Sequence, residues 1–77
     1  MRMIYEVAKD IGKDWKNVGV YAAPYLSAMR EVCVPTDKYI HDDARSIVLY
    51  FLSNASTYRG ENAKLYKREL KDICGIK

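Results

Sequence analysis

An all-α fold, a compact bundle of about four short helices, is what this sequence predicts, and three observations carry the prediction. Apolar residues recur at spacings of three and four along most of the 77 residues. The chain is 49% hydrophobic with four glycines and two prolines, more apolar than a disordered chain, so a packed globule is expected. Residues able to start or stop helices stand where the apolar stripes begin and end. At this length residues 1–77 form a single helical domain, near the size where a core only just offsets the chain entropy lost on folding.

The first stripe is Met3, Ile4, Val7, Ala8 and Ile11, with Arg2, Glu6, Lys9, Asp10 and Lys13 on the other side. It predicts a helix ending near Gly12, with Trp15 continuing the stripe as a lid over the core. Asn17 is placed to cap a second helix, whose stripe runs through Val18, Tyr21, Ala22, Tyr25, Leu26, Met29, Val32 and Cys33. Pro24 interrupts it by removing a backbone donor, so the helix either kinks there or starts with Pro24; the unbroken stripe favours a kink. Residues 34–41 read as a loop, after which the Asp42 carboxylate is placed to cap a third helix. Ala44, Ile47, Val48, Phe51, Leu52 and Ala55 form its apolar face, and Leu49 and Tyr50 widen that face. A strand over residues 47–52 is the competing reading, but no partner strand is in sight. Residues 54–60 form a polar turn in which Thr57 or Gly60 caps a fourth helix carrying Ala63, Tyr66, Leu70, Ile73 and Cys74 on one face and stopping at Gly75.

The start, Met-Arg-Met-Ile-Tyr-Glu, lacks the apolar core of a secretion signal, and the longest apolar run, residues 47–52, is far short of the roughly 20 residues of a membrane span. A cytoplasmic protein with no membrane contact is expected. Cys33 and Cys74 are far apart and belong to no metal-ligand pattern, so both read as buried reduced thiols.

Little in the chain points to catalysis. His41, the one histidine, stands near Asp37, Asp42 and Asp43 and could serve a metal or a proton transfer, but acidic residues before a helix have the simpler task of meeting its free N–H groups. No second histidine supports a metal site, and Ser27, Ser46, Ser53, Ser56 and Thr57 lie in no nucleophile motif. No enzyme activity, cofactor or small-molecule substrate is expected.

Charge is more informative. The net charge of +3 arises wholly from residues 59–77, where six basic side chains face three acidic ones; residues 1–58 hold seven of each. On the fourth helix Lys64, Lys67, Arg68 and Lys71 form one stripe, which Arg59 extends. Nucleic acid is one candidate partner: as in a helix-turn-helix, the lysines and Arg68 would touch phosphates while Arg59 or Asn62 reads bases. Glu61, at the end that would enter the groove, opposes this. The other candidate, slightly favoured, is a protein partner or a second copy of the chain, because Leu49, Tyr50, Leu65 and several of Tyr5, Tyr21, Tyr25, Tyr39 and Tyr58 exceed what so small a core holds; the partner would dock by the third helix or the Tyr58-Arg59-Gly60 turn. A solvated charged face and tyrosines at the core edge are the plain alternatives to both.

Asp14-Trp15-Lys16-Asn17, Ala23-Pro24-Tyr25-Leu26 and the run from Ser46 to Glu61 look like segments of small helical proteins encoded by bacteriophages and prophages of gut and Gram-positive bacteria. The similarity spans most of the chain. No activity is established for that group, so the resemblance implies a setting, a phage or bacterial cytoplasm, and a binding role, but no functional residues.

Overall fold

The computed structural model describes residues 2–76. In chain order it contains α1 (Ile4–Asp14), α2 (Ala23–Met29), β1 (Lys38–Tyr39), β2 (Asp42–Asp43), α3 (Ala44–Ser53) and α4 (Glu61–Cys74). The fold is therefore mostly helical, with one addition to the expected bundle: residues 38–43 form a two-stranded antiparallel hairpin, pairing Lys38 with Asp43 and Tyr39 with Asp42. The molecule measures 28 × 25 × 20 Å. Helix α1 packs against α2 and α4, and α3 closes the ring by contacting both α2 and α4.

The predicted stripes supply the core. Ile4, Val7, Ala8 and Ile11 of α1 are fully buried, as are Met29, Val48, Phe51 and Leu70 from the other helices. Each large apolar side chain removed from water in this way contributes roughly 1.5–3 kcal/mol. That burial stabilises α2, whose seven residues are too few for a helix to persist alone. Trp15 lies at the centre of the aromatic packing: it is buried, stacked on Tyr58 at 4.8 Å and edge-on to Phe51 at 6.3 Å. Residues 47–52 are helical, not a strand.

The second helix departs from expectation. It is neither capped by Asn17 nor kinked at Pro24; the proline stands in its first turn. The Ala22 and Ala23 N–H groups both donate to the Gly19 carbonyl, at 3.0 and 2.9 Å, and form a separate turn ahead of it. Pro24 has no N–H to continue a helix from upstream, and the first helical turn is where none is needed. Val20 and Tyr21 consequently stand 76% and 77% exposed, although Tyr21 continued the apolar stripe. The helix also stops before Val32, whose side chain is buried from non-helical backbone, while Cys33 is exposed and only Cys74 is buried. The carbonyls of Cys33 and Val32 accept the first free N–H groups of α1, from Ile4 and Tyr5, at 2.9 and 3.0 Å.

Helix α3 begins one residue later than expected. Its cap is Asp43, not Asp42, and Asp43 Oδ1 accepts from the Ser46 N–H at 2.8 Å. The Ala44 and Arg45 N–H groups donate to the Asp37 and Pro35 carbonyls. The Asp37 carboxylate organises the loop itself, accepting from the N–H groups of Cys33 (2.7 Å) and Val34 (3.1 Å). Helix α1 continues two residues past Gly12, to Asp14. Helix α4 ends as expected, with Gly75 left-handed at φ 65° and the Ile76 N–H closing back on the Lys71 carbonyl at 2.8 Å. Across the molecule, Arg2 ties α1 to α4, with Nε and Nη2 on the two Glu69 oxygens at 2.6 and 2.9 Å and Nη1 on Asp10 at 2.6 Å.

Two predictions follow from these contacts. Ile40, at the hairpin tip, has φ 60°, a conformation that costs a β-branched residue about 1–2 kcal/mol, and its side chain is 78% exposed. Ile40→Gly relieves the strain with little burial lost, so the thermal midpoint should rise by a few degrees; an unchanged or lower midpoint would count against the strained tip. Acid has the opposite effect. Asp37 and Asp43 are held below the usual carboxylate range chiefly by backbone N–H donors, and Glu69 chiefly by Arg2. Carboxyls with depressed folded values stabilise the protein above their unfolded values, about 4, and lose that contribution as pH falls through the folded values. The midpoint should therefore hold steady from about pH 7 to about pH 5 and fall progressively below about pH 4.

Candidate functional site

The C-terminal segment carries the charge surplus, and its geometry starts with the turn that precedes α4. Gly60, with φ 116° and ψ 178°, occupies a backbone region open essentially to glycine alone, and this turns the chain into the helix without a capping side chain. Upstream, Tyr58 is buried against Trp15 and its hydroxyl donates to Asp14 Oδ2 at 2.7 Å. Asn62 Nδ2 donates to the other oxygen of the same carboxylate at 2.9 Å. Asp14 thus joins the end of α1 to both the turn and the start of α4. These bonds hold its carboxyl below the usual range, Asn62 contributing more than Tyr58. Burial and the neighbouring carboxylate push the Tyr58 phenol well above its ordinary value.

The basic side chains divide into two sets. Lys67 is half-buried, and its ammonium donates to the Ala55 and Tyr58 carbonyls, both at 2.7 Å. It also lies 5.7 Å from the Tyr58 ring centroid. Arg59, Lys64, Arg68 and Lys71 are exposed. Among the described residues the ion pairs are those of Arg2, so none of these five cations has a carboxylate within 4.0 Å. Glu69, one of the three acidic residues of this segment, is engaged by Arg2. Lys77, one of the six basic residues, lies outside the described residues.

Two hollows lie along this face. Arg59, Lys64 and Lys67 line the first, of about 270 Å³, together with Ser56, Tyr58, Gly60 and Ala63. The second, about 350 Å³ and shallower, is bounded by Glu61, Lys64, Leu65 and Arg68. Burial lowers the Lys67 pKa, and so do the charges of Lys71 and Arg59.

For the expected nucleic-acid contacts, the fold brings Arg59, Lys64 and Lys67 together, sets Arg68 beside Lys64, and leaves Lys71 close enough to influence Lys67. Asn62 is removed from that set, because its amide is bonded to Asp14. The expected protein contacts differ in exposure. Tyr58 is a core residue, 3% exposed, so it is corrected from a contact to a structural element. Leu49 is half-buried, Tyr50 packs its ring 5.5 Å from Tyr25, and Leu65 is exposed between the cations of α4. A feature the sequence reading missed lies on the hairpin side: a hollow of about 210 Å³ lined by Pro24, Tyr25, Ala28, Tyr39, Ile40, His41, Asp42 and Ile47. The one signal for it was Pro24, which could have started the helix there and left Tyr25 facing the loop. His41 is exposed, and among the described residues no group of three or more His, Cys, Asp or Glu side chains is placed to hold a metal ion. No helix among them is long and apolar enough to cross a membrane.

The chain matches no protein family, no curated protein and no solved structure.

The turn's dependence on Tyr58 is directly testable. Tyr58→Ala removes the ring stacked on Trp15 and should cost about 3 kcal/mol or more of unfolding free energy. Denaturant titration measures it; a loss under about 1 kcal/mol, the range of ordinary surface changes, would show that the ring is not a core element.

Proposed function

We propose that this chain is a non-enzymatic binding protein that engages the phosphate backbone of nucleic acid through the basic face of α4. The observation that carries the reading is the set of exposed cations Arg59, Lys64, Arg68 and Lys71, which have no carboxylate partner among the described residues, along one helix and the turn before it. Cations left without carboxylate partners retain their full attraction for phosphates, and each contact releases condensed counterions from the nucleic acid. The mode differs from base reading by a helix-turn-helix. Asn62 is bonded to Asp14, Glu61 occupies the end that would enter a groove, and seven residues join α3 to α4 where that motif uses about three or four. Backbone contact without base readout suits this geometry better. The phage or bacterial setting suggested by the sequence resemblance belongs to the same proposal.

A second reading, a protein partner or self-association, draws on the hairpin hollow, where Ile40 stands 78% exposed, and on Tyr50, 45% exposed with its ring against Tyr25 of the hollow's lining. The two readings differ in their response to salt. Four phosphate contacts give a log–log salt slope of about −3.6, so affinity for a random duplex of about 30 base pairs should fall about a hundredfold between about 50 and about 200 mM salt. The triple change Lys64→Glu, Arg68→Glu and Lys71→Glu should abolish the gel shift at either salt. Absence of any shift with the unchanged protein would dismiss the nucleic-acid reading and turn attention to the hairpin hollow, beginning with sedimentation of the chain alone.

A further inference from the structure

We infer that the pocket between the 54–60 turn and the start of α4 seats a single phosphate group of a nucleic-acid backbone, held by Arg59, Lys64 and Lys67. This deepens the reading above and rests on it: the exposed ridge supplies diffuse attraction, and the pocket supplies one fixed point of attachment.

The argument begins with how the cations are held. Lys67 uses two of its three ammonium donors on the Ala55 and Tyr58 carbonyls, which leaves one donor in a group that lines the pocket. Arg59 Nε donates to the Ser56 carbonyl at 3.3 Å, and its two terminal nitrogens make no hydrogen bond among the described residues. Carbonyls of one short turn therefore orient two of the three cations, and an oriented cation has less side-chain entropy to lose on binding. Carbonyl dipoles orient a charge without neutralising it, and the pocket brings no carboxylate among its lining residues. Partial burial together with the charges of Lys71 and Arg59 already disfavours the Lys67 ammonium. An anion in the pocket reverses that imbalance. The free edge of the Arg59 guanidinium suits two phosphate oxygens at once, and the lysines suit the others as point charges. Space is available beside Gly60 and Ala63, about 270 Å³ of it.

The test titrates inorganic phosphate into labelled protein, against chloride at matched ionic strength, while recording amide NMR shifts; a parallel arm measures binding of a single-stranded oligonucleotide. Saturating shifts centred on Gly60 and Ala63 are expected. The double change Arg59→Gln and Lys64→Gln, at two exposed positions, should weaken phosphate binding at least about tenfold, whereas Lys71→Gln, outside the pocket lining, should weaken it less than about threefold. Non-saturating shifts spread evenly along α4 would overturn the pocket. Oligonucleotide binding without a saturable phosphate response would overturn it too, while leaving the backbone-binding function intact. Saturable phosphate binding without oligonucleotide binding would overturn nucleic acid as the source of the phosphate, and with it the proposed function.

Discussion

The position of the 54–60 turn depends on the burial of Tyr58 between Trp15 and the Asp14 carboxylate. The ring contributes apolar contact and the hydroxyl a charge-assisted hydrogen bond, so the side chain is fixed both laterally and in depth. With Tyr58 fixed, its carbonyl and that of Ala55 meet the Lys67 ammonium, and α4 is thereby held at its second turn as well as at its start. Asp14 adds Asn62 to the same junction. The basic face thus stands on a core aromatic pair, and its geometry belongs to the fold more than to the surface.

A second theme is how the helix ends are satisfied in a chain with few conventional caps. Helix α1 takes its acceptors from backbone at residues 32–33 and from the Glu6 carboxylate, which accepts the Met3 N–H at 3.0 Å. Helix α3 draws on Asp43 and on carbonyls of the preceding loop. Arg45 closes the circuit by donating from Nε to the Cys74 carbonyl at 3.1 Å, where α4 has no further N–H to bond. No buried side-chain nitrogen or oxygen among the described residues is left without a partner. Short helices in a small protein are exposed at a large fraction of their length, and this cross-bonding is what makes their ends compatible with one core.

What could be read in advance followed periodicity. The stripes of α1, α3 and α4 are long and regular, and most of their expected core residues are buried, with Leu52, Tyr66 and Ile73 partly buried and Met3 exposed. Gly75 acted through a conformation that few residues other than glycine adopt, so its role as a stop was visible from identity alone. The failures have physical causes of their own. Tyr21 and Cys33 continued a helical stripe by spacing, yet Pro24 and the bonds to Gly19 ended regular helix on one side and the bonds to α1 drew out the chain on the other. Residues 38–43 form a hairpin too short to leave a pattern, with an isoleucine where a glycine would have marked the turn. At the site, the cationic stripe was legible, whereas the separate fates of Lys67 and of the neighbouring Asn62 were not: Lys67 is bonded by residues 9 and 12 positions away and Asn62 by one 48 positions away, and local sequence has no record of such partners.

Lys67 has a consequence for how such a protein can change over generations. One ammonium fastens the turn to α4 and also lines the pocket beside Arg59 and Lys64. Variation at that position would be filtered twice, once by the integrity of the folded chain and once by the lining of the pocket, while Lys64 answers for the lining alone and Arg68 for the exposed face alone. The outer cations are therefore the positions open to change, around a lysine that the fold itself retains.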